Sequence, residues 1–461
     1  MNKIVKSMIT IVLVALFSGC SLNIPPPDQF SDPDAITTVS SARSLLTSAY
    51  ISYPHYEYQL SILGEDFVPT NLSGKDVSQQ NLYRWQDNSI NELAGEVWGT
   101  YYTTIAYCDV LLERLPNVVT ANSSEVSEKS AIKSEAQTLK ALCYFNLLRL
   151  FATPYNKNVD ADGVVIKSRI GVEIVARSSK AKCVNYIRDL LLEAVAVNNN
   201  ISERNGWMSQ KTAYHILSQL ELYVGNYKGA AEYAEIVLDG AEDSWFTGAN
   251  YRYLWSANTY EGRIFAFNNS TPYYTSIQYD EPNGDYFAVN PCVAYSINDV
   301  RKEYNIYSFT MAEESRNLFG KYNMNNRKGE ANNYVDMMRY AEAYFIAAEA
   351  YCHQGEESLG ISKINHYLSL CGAEQIPSTL TGDELIKRLI AEKLNEFVGE
   401  GINYFDFKRL SLGDLKRYTA WGKSTYTTVI KDSYKWTFPI PASEYRYNEA
   451  VSQNEGWPIN R

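Results

Sequence analysis

The chain is 461 residues long, 45% of them hydrophobic, and it carries a formal net charge of −11. A chain of this length can bury a large core and has room for two or three domains, although helical solenoids of this size are often one unit. The acidic balance argues against nucleic acid as a partner. Tyr outnumbers Phe 37 to 16, which favours polar interfaces because a tyrosine offers a flat ring together with a hydroxyl.

Residues 1–19 are predicted to be a lipoprotein signal peptide. Lys3 and Lys6 give a positive start, and residues 8–17 form an apolar run that is too short to span a bilayer. The leader closes on LFSGC, which resembles a bacterial lipoprotein box whose cysteine, here Cys20, is lipidated and becomes the first residue of the mature protein. The alternative is an ordinary secretory leader with a chance cysteine. Removing the two lysines with the leader changes the net charge from −11 to −13.

Residues 20–30 are predicted to be the lipidated start and a proline-rich spacer, and residues 31–461 a single domain. Pro25, Pro26 and Pro27 favour an extended polyproline conformation, which would hold the domain off the lipid by roughly 3 Å per residue. The cysteines after Cys20 contain no Cys-x-x-Cys motif, and several lie in apolar helical runs, where a free cysteine behaves as a small buried hydrophobe. Export permits disulfides, but we expect mostly free thiols.

The fold class is predicted to be mainly α, with a few short strands. Apolar residues recur every three to four positions in four stretches of the first half, and this period predicts a helix in each. The stretches are residues 40–52, 91–115, 130–151 and 181–197. Pro116 ends the second, because a proline restricts the residue before it. The third ends in the apolar run LLRLF at Phe151 and is predicted to lie centrally.

Residues 210–238 predict a helical hairpin. Apolar residues follow the helical period on both sides of Gly225, which can adopt the left-handed conformation that ends a helix. The pattern from Gly225 to Ala230 is similar to the turn of a tetratricopeptide repeat, whose apolar face needs a neighbouring hairpin to cover it. Residues 335–370 predict that second hairpin, with its turn at Gly355. Because a long irregular stretch separates the two, we expect one helical scaffold with long insertions.

Residues 244–327 are predicted to be largely irregular. They are rich in Tyr, Asn, Gly and Asp, and only short runs such as residues 263–267 look like strands. A long irregular region in a compact domain is usually functional if it is not disordered, and the aromatic content argues against disorder. Residues 280–285 are rich in oxygen ligands for calcium but lack the EF-hand spacing, so a plain turn is the preferred interpretation.

The last third of the chain contains the most specific pattern. Thr381 is predicted to begin a capping box for a helix over residues 382–397. Residues 392–410 then read EKLNEFVGEGINYFDFKRL, which resembles the C-terminal motif of SusD/RagB nutrient-binding outer-membrane lipoproteins. Further matches cover nearly the whole mature chain in order. They include Trp98, Asp299, Arg301, Gly320, Lys321, residues 338–342, residues 438–441 and residues 453–457.

The resemblance implies a SusD-like fold of tetratricopeptide-like hairpins and a non-catalytic binding protein anchored by lipid at the cell surface. Such proteins deliver oligosaccharides to a SusC-like TonB-dependent transporter in the outer membrane. A peptide receptor of the same architecture and a protein-binding repeat scaffold are the alternatives. The chain departs from the family pattern at Lys393, where arginine is usual, and in residues 21–27, which lack the acids that often follow the lipidated cysteine.

No catalytic chemistry is predicted. The four histidines form no metal-ligand pair at a useful spacing, and no zinc-protease, P-loop, dinucleotide or nucleophile-elbow motif occurs. We therefore expect neither a metal nor a cofactor. Pairs of carboxylates occur by chance among 53 acidic residues, so counting alone leaves a glycosidase open without supporting one.

A glycan site needs exposed flat rings beside planar polar groups on rigid loops. Two stretches meet this description. The candidate ligand contacts are Tyr83, Arg84, Trp85 and Asn88 in the first, and Tyr273, Tyr274, Tyr279, Asp285 and Tyr286 in the second. For each ring, packing under a long loop is an equally good interpretation. If Trp85 contacts the glycan, Trp85→Ala weakens glycan retention without lowering the melting temperature.

Overall fold

The computed structural model describes residues 36–70, 77–171, 173–255, 262–268, 287–311, 314–321, 334–419 and 424–459. The predicted signal peptide, Cys20 and the spacer lie outside the described residues. So do the second group of candidate ligand contacts, Tyr273 to Tyr286, and the oxygen-rich residues 280–285.

The described part of the chain is mainly helical, as the sequence predicts. The helices are α1 (Val39–Ser52), α2 (Glu57–Leu63), α3 (Val77–Tyr83), α4 (Asp87–Arg114), α5 (Ser123–Phe151), α6 (Lys180–Val195), α7 (Asn200–Arg204), α8 (Gln210–Val224), α9 (Tyr227–Leu238), α10 (Arg301–Asn305), α11 (Tyr340–His353), α12 (Glu357–Leu370), α13 (Gly382–Phe397), α14 (Ile402–Leu410) and α15 (Ala442–Tyr447). The four helices predicted in the first half are therefore present as α1, α4, α5 and α6. Helix α5 begins earlier than predicted because the Asn122 side chain accepts a hydrogen bond from the Glu125 backbone N–H and caps it.

Helix α5 is the central helix. Between residues 131 and 151, Lys133 and Arg149 are the residues that are not buried. Its last carbonyls have no partner within the helix, and distant side chains satisfy them. Lys408 Nζ donates to the carbonyls of Arg149 (2.6 Å) and Leu150 (3.0 Å). Burial, followed by repulsion from Lys180 and Arg149, holds the pKa of the Lys408 amine well below its usual range.

Two other segments meet the same end of α5. Arg177 Nη2 and Asn454 Nδ2 both donate to the Phe151 carbonyl, at 2.9 and 2.8 Å. The C-terminal segment is thereby fixed to a helix formed some three hundred residues earlier in the chain. A buried helix end thus joins the first and last thirds of the fold.

The two predicted hairpins are confirmed. Gly225, between α8 and α9, has φ +80° and forms the left-handed cap, and Gly355 between α11 and α12 has φ +81°. Helix α9 packs against α11 through small residues, since Ala230, Ala234 and Ala347 are fully buried at this contact. Close approach of the two helices follows from these small side chains.

Two details of the sequence prediction are wrong. Residues 335–339, predicted as the start of the second hairpin, belong to strand β6 (Tyr334–Arg339), and helix α11 begins only at Tyr340. A short apolar run fits the period of a helix or of a strand, and pairing with strand β2 (Arg263–Asn268) decides for the strand. The Thr381 capping box does not form. Instead the Gly382 N–H donates to Glu357 Oε1 at 2.7 Å.

The strands form three small antiparallel sheets among the described residues. They are β1 (Phe67–Pro69), β2 (Arg263–Asn268), β3 (Phe287–Val289), β4 (Ile306–Met311), β5 (Glu314–Phe319), β6 (Tyr334–Arg339), β7 (Leu415–Tyr418) and β8 (Thr425–Val429). One sheet has the order β1-β3-β5-β4, and the others are the pairs β2-β6 and β7-β8. The strand-like run predicted at residues 263–267 corresponds to β2.

Among the described residues no disulfide is formed, and Cys108, Cys183 and Cys371 are buried thiols. Burial raises the pKa of each of these three thiols. No helix in the described ranges has both the length and the apolar character needed to cross a membrane.

Candidate functional site

The residues that carry the family resemblance meet in a buried ionic network. Arg301 contacts three carboxylates, at 2.7 Å (Asp299), 2.5 Å (Glu392) and 3.2 Å (Glu396). Arg339 lies 2.7 Å from Glu396 and 2.8 Å from Glu400, and Lys321 Nζ lies 2.5 Å from Glu400. We define these seven residues (Asp299, Arg301, Lys321, Arg339, Glu392, Glu396 and Glu400) as the ionic network. All of them are buried.

The ionic network holds α13 against segments that are distant in sequence. Although burial opposes ionisation of Glu396, the charges of Arg339, Arg301 and Lys321 hold the pKa of its carboxyl below the usual range. Gly399 has φ +78°, and a Cβ there would lie 2.2 Å from the Phe319 ring, so a glycine is needed between α13 and Glu400. Because its charges pair with one another, we interpret the network as structural.

A second set of buried charges lies on α11, α13 and α14. Lys393 stands where arginine is usual in the family, and its Nζ lies 2.8 Å from Asp406 Oδ2. Asp406 and Glu349 both pair with Arg409, at 2.7 and 2.6 Å. The departure from the family pattern therefore keeps a positive charge at this position, paired with Asp406.

The ion pair between Glu342 and His215 predicts a pH dependence of stability. His215 Nε2 lies 2.9 Å from Glu342 Oε2. Burial alone would raise the pKa of the Glu342 carboxyl, but the hydrogen bond and charge of His215, with Lys393 and Gln219, lower it from 4.5 to about 2. Because the pKa of this carboxyl is lower in the folded than in the unfolded protein, the contact stabilises the fold at pH values above the unfolded-state pKa. This stability is lost as the pH falls toward 2.

We expect Glu342→Gln to lower the free energy of unfolding by about 3 kcal/mol at neutral pH. The difference from the wild type should shrink between pH 4.5 and pH 2, where the wild-type carboxyl becomes protonated. Urea unfolding of both proteins across this pH range measures the difference in the free energy of unfolding. Glu384→Gln, on the exposed face of α13, is the matched control. A difference that stays constant with pH would contradict the assignment.

In the first predicted stretch, the rings of Tyr83 and Trp85 belong to the core. Each is 1% exposed. Trp85 Nε1 donates to the Leu63 carbonyl at 3.1 Å, and its ring centroid lies 4.6 Å from that of Trp436. The Tyr83 hydroxyl accepts a hydrogen bond from the Tyr418 N–H at 3.1 Å. Neither ring presents a face to solvent, so we revise the expectation that Trp85→Ala leaves the melting temperature unchanged.

Arg84 and Asn88 lie at the surface instead. The Arg84 guanidinium lies 4.5 Å from the ring centroid of Tyr426, a residue of β8 that is 48% exposed. The Gln86 side chain reaches the Tyr426 hydroxyl at 3.5 Å, and Asn88 is exposed in the first turn of α4. We define Arg84, Gln86, Asn88 and Tyr426 as the Arg84 shelf. Sequence reasoning missed Tyr426, because this ring lies far from the others in the chain.

A cleft of about 290 Å³ lies beside β2, close to the lower end of the roughly 300–1,000 Å³ that is usual for small-ligand sites. Among the described residues, five aromatic rings and two cations line it. These residues are Trp207, Lys211, Trp245, Arg263, Phe265, Tyr334 and Tyr340, and we call the site the aromatic cleft. None of them is among the residues predicted to contact the ligand.

The walls of the aromatic cleft come from separate elements. Trp207 precedes α8, Lys211 lies in the first turn of α8, and Tyr340 begins α11. Trp245 lies in a 3-10 turn that follows α9, and its ring centroid is 5.2 Å from that of Tyr340. The turn, the helix starts and the β2-β6 pair thus bring the rings together on a rigid scaffold.

Cations lie against these rings. The Arg263 guanidinium is 4.4 Å from the ring centroid of Tyr334. The Arg43 guanidinium covers one face of Trp207 at 3.9 Å and pairs with Glu135 at 2.7 Å. Trp207 and Trp245 are both half-buried, so part of each indole faces the solvent. This combination of partly exposed rings and hydrogen-bond donors can stack on the C–H face of a sugar and bind its hydroxyls.

Within the described ranges, no group of three or more His, Cys, Asp and Glu residues is placed to hold a metal ion.

Two family models match the chain. The model described as "SusD family" matches residues 178–457, and the one described as "Starch-binding associating with outer membrane" matches residues 27–222. The curated proteins contain no match.

Solved structures share the fold over nearly the full length. A putative sugar binding protein from Bacteroides vulgatus matches with a TM-score of 0.77 and 21% identity, covering 92% of this chain and 100% of that one. A SusD-like carbohydrate binding protein from the same organism gives 0.76 and 18%, covering 90% and 98%. A SusD superfamily protein from Bacteroides thetaiotaomicron gives 0.74 and 22%, covering 91% and 100%. At these identities the likeness is one of fold.

Proposed function

The chain belongs to the SusD family, and from this premise we propose that it is a non-catalytic glycan-binding lipoprotein that delivers oligosaccharides to a SusC-like TonB-dependent transporter. The family model named for starch binding at the outer membrane supports this role. Two similar structures, described as sugar-binding and carbohydrate-binding proteins, also support it.

The aromatic cleft is the observation that carries the proposal. Trp245 is partly exposed and packs on the buried Tyr340 at an interplanar angle of 50°, so the Trp245 indole is the ring that a sugar can contact with its apolar face. Donors at the edge of this pair, such as the Lys211 amine, can bind sugar hydroxyls. Held on helix ends and a strand, these groups would need little reorganisation when a glycan binds.

The Arg84 shelf is proposed as a second contact surface. Arg84 and Asn88 keep the role that the sequence predicts for them, with Tyr426 as the exposed ring beside Arg84. Tyr273, Tyr274, Tyr279, Asp285 and Tyr286 remain predicted ligand contacts.

Lipid attachment at Cys20 would place this receptor on the outer membrane. Removal of residues 1–19 would expose Cys20 as the first residue, and several acyl chains on it would anchor the protein stably where one would not. The remaining residues 31–461 would then form one domain that faces the cell surface beside its transporter.

The test of the proposed function is glycan retention by a Trp245 variant. We expect Trp245→Ala to weaken retention in native gels that contain polysaccharide by about tenfold, or about 1.4 kcal/mol. The melting temperature should fall less than that of Trp85→Ala, because Trp245 is only partly buried. A gel panel of starch, dextran, galactan and acidic polysaccharides measures the retention.

Tyr447→Ala is the matched control, since Tyr447 is 69% exposed on α15 and does not line the aromatic cleft. It should bind like the wild type. Equal retention of Trp245→Ala and wild type on every polysaccharide that binds would remove the aromatic cleft from the site. A shift in melting temperature with a peptide mixture, and with no polysaccharide, would replace glycan by peptide as the ligand.

A further inference from the structure

Positively charged side chains line the aromatic cleft, although the protein as a whole is acidic. The whole chain carries a net charge of −11, yet two of the residues that line the aromatic cleft are cations, Lys211 and Arg263. Among the described residues, the lining includes one acid, Glu203, which is exposed. The described lining residues therefore carry a net charge of the opposite sign to that of the molecule, as expected where an anion binds.

Lys211 has no charged partner in the described part of the chain. Its Nζ donates to the Asp239 carbonyl at 3.1 Å and to the Tyr340 hydroxyl at 3.2 Å, both neutral acceptors. An ammonium group has three N–H donors, so a third remains for a ligand. The hydrogen bond from Lys211 to the Asp239 carbonyl caps the end of α9. Capping alone does not explain why the Lys211 amine lies at the wall of the aromatic cleft.

The position of Lys211 fits an acidic sugar. Its Nζ lies 5.3 Å from the ring centroid of Tyr340 and bonds to the hydroxyl, so the charge sits at the edge of the Trp245 and Tyr340 pair. The carboxylate of a uronic acid projects from the perimeter of the sugar ring. A sugar that stacks on Trp245 therefore places its carboxylate toward a cation at the edge of the pair, where a charge-assisted hydrogen bond can form.

We infer that the aromatic cleft selects acidic oligosaccharides, with a uronic acid whose carboxylate Lys211 binds. Trp245 contacts the ring of this uronic acid, and Arg263 adds a second positive charge on the wall. The inference rests on the proposed function, because it names the class of glycan that the same site takes. Binding should weaken as salt is added, since ions screen the attraction.

The experiment compares polymers that differ in charge. Native gels contain polygalacturonate, alginate or hyaluronan as uronate polymers, methyl-esterified polygalacturonate as the matched neutral polymer, and dextran sulfate as a sulfated polymer without uronate. The variants are Lys211→Met, which keeps the apolar stem, and Lys211→Arg, which keeps the charge. Lys387→Met is the control, because Lys387 is an exposed lysine on α13.

At least one uronate polymer is expected to retain the wild type, and its methyl ester to retain it at least tenfold less. Lys211→Met should lose about tenfold in retention at an unchanged melting temperature, Lys211→Arg should recover most of it, and Lys387→Met should match the wild type. Retention by sulfated polymers alone, or retention by uronates that Lys211→Met leaves unchanged, would overturn the inference.

The neutral polymers separate the two proposals. Retention on neutral polymers alone, lost in Trp245→Ala, would overturn the uronate inference and keep glycan binding in the aromatic cleft. If no polymer retains the protein, both proposals fall.

Discussion

Arg301→Ala is expected to destabilise the protein by about 3–5 kcal/mol, because it leaves buried carboxylates without a counter-charge. Arg301 is 1% exposed and contacts Asp299, Glu392 and Glu396 within 3.2 Å. Despite the opposing effect of burial, these partners hold the pKa of Arg301 well above its usual value. Water cannot replace the guanidinium without opening the contact between α13 and the segment before α10.

Chemical denaturation followed by circular dichroism measures this loss. Lys387→Ala is the control, since Lys387 forms an exposed pair with Glu384 at 2.7 Å and its loss should leave the denaturation midpoint close to that of the wild type. Arg301→Lys should fall between the two, because lysine keeps the charge but not the forked geometry. A denaturation midpoint for Arg301→Ala equal to that of the wild type would show that the ionic network does not hold the fold together.

Trp85→Ala is expected to cost about 3–5 kcal/mol, the range for removing a large buried side chain. The mutation opens a cavity among Trp436, Tyr404 and the backbone of Leu63. Glycan retention measured well below the melting temperature should stay close to that of the wild type. The melting temperature by differential scanning fluorimetry separates this structural role from ligand contact.

The backbone at Trp85 provides a second check. Its φ is +55°, a left-handed conformation that glycine adopts without strain and alanine does not. Trp85→Gly should therefore be no less stable than Trp85→Ala, although glycine is usually the more destabilising of the two substitutions. Trp245→Ala is the control for the loss of an indole at the surface. A normal melting temperature with lost retention in Trp85→Ala would return Trp85 to the binding site.

The helical scaffold was predictable because its signals are local. The apolar period on both sides of Gly225 requires nearby residues alone, and the left-handed φ of that glycine confirms the turn. Strand β6 was misread because the partner that makes Val335 part of a sheet, β2, lies about seventy residues earlier. Register between strands depends on such long-range pairing, which a short window of sequence does not contain.

The motif at residues 392–410 indicates the family from sequence alone, but it does not reveal the physical role of its acidic residues. Glu392 and Glu396 are one helical turn apart and share the face of α13 that also buries Leu389 and Phe397. Acids on an apolar face indicate buried partners, and this signal was available in the sequence. The identity of those partners, Arg301 and Arg339, required the fold.

The candidate site was the least predictable part. Tyr83 and Trp85 alternate with the more exposed Arg84 and Gln86, and composition does not reveal which of the four face inward. The aromatic cleft combines single rings from residues 207 to 340, and each ring is unremarkable in its own stretch. A site assembled by tertiary packing leaves no local pattern to read.

The most direct measurement is a crystal structure of the mature protein with an oligosaccharide that retains it in native gels. We predict electron density for a sugar ring against Trp245, with a polar group of the sugar within hydrogen-bond distance of Lys211 Nζ. Sugar density at other surfaces alone, with the aromatic cleft empty at saturating ligand, would contradict the assignment of this cleft as the glycan site.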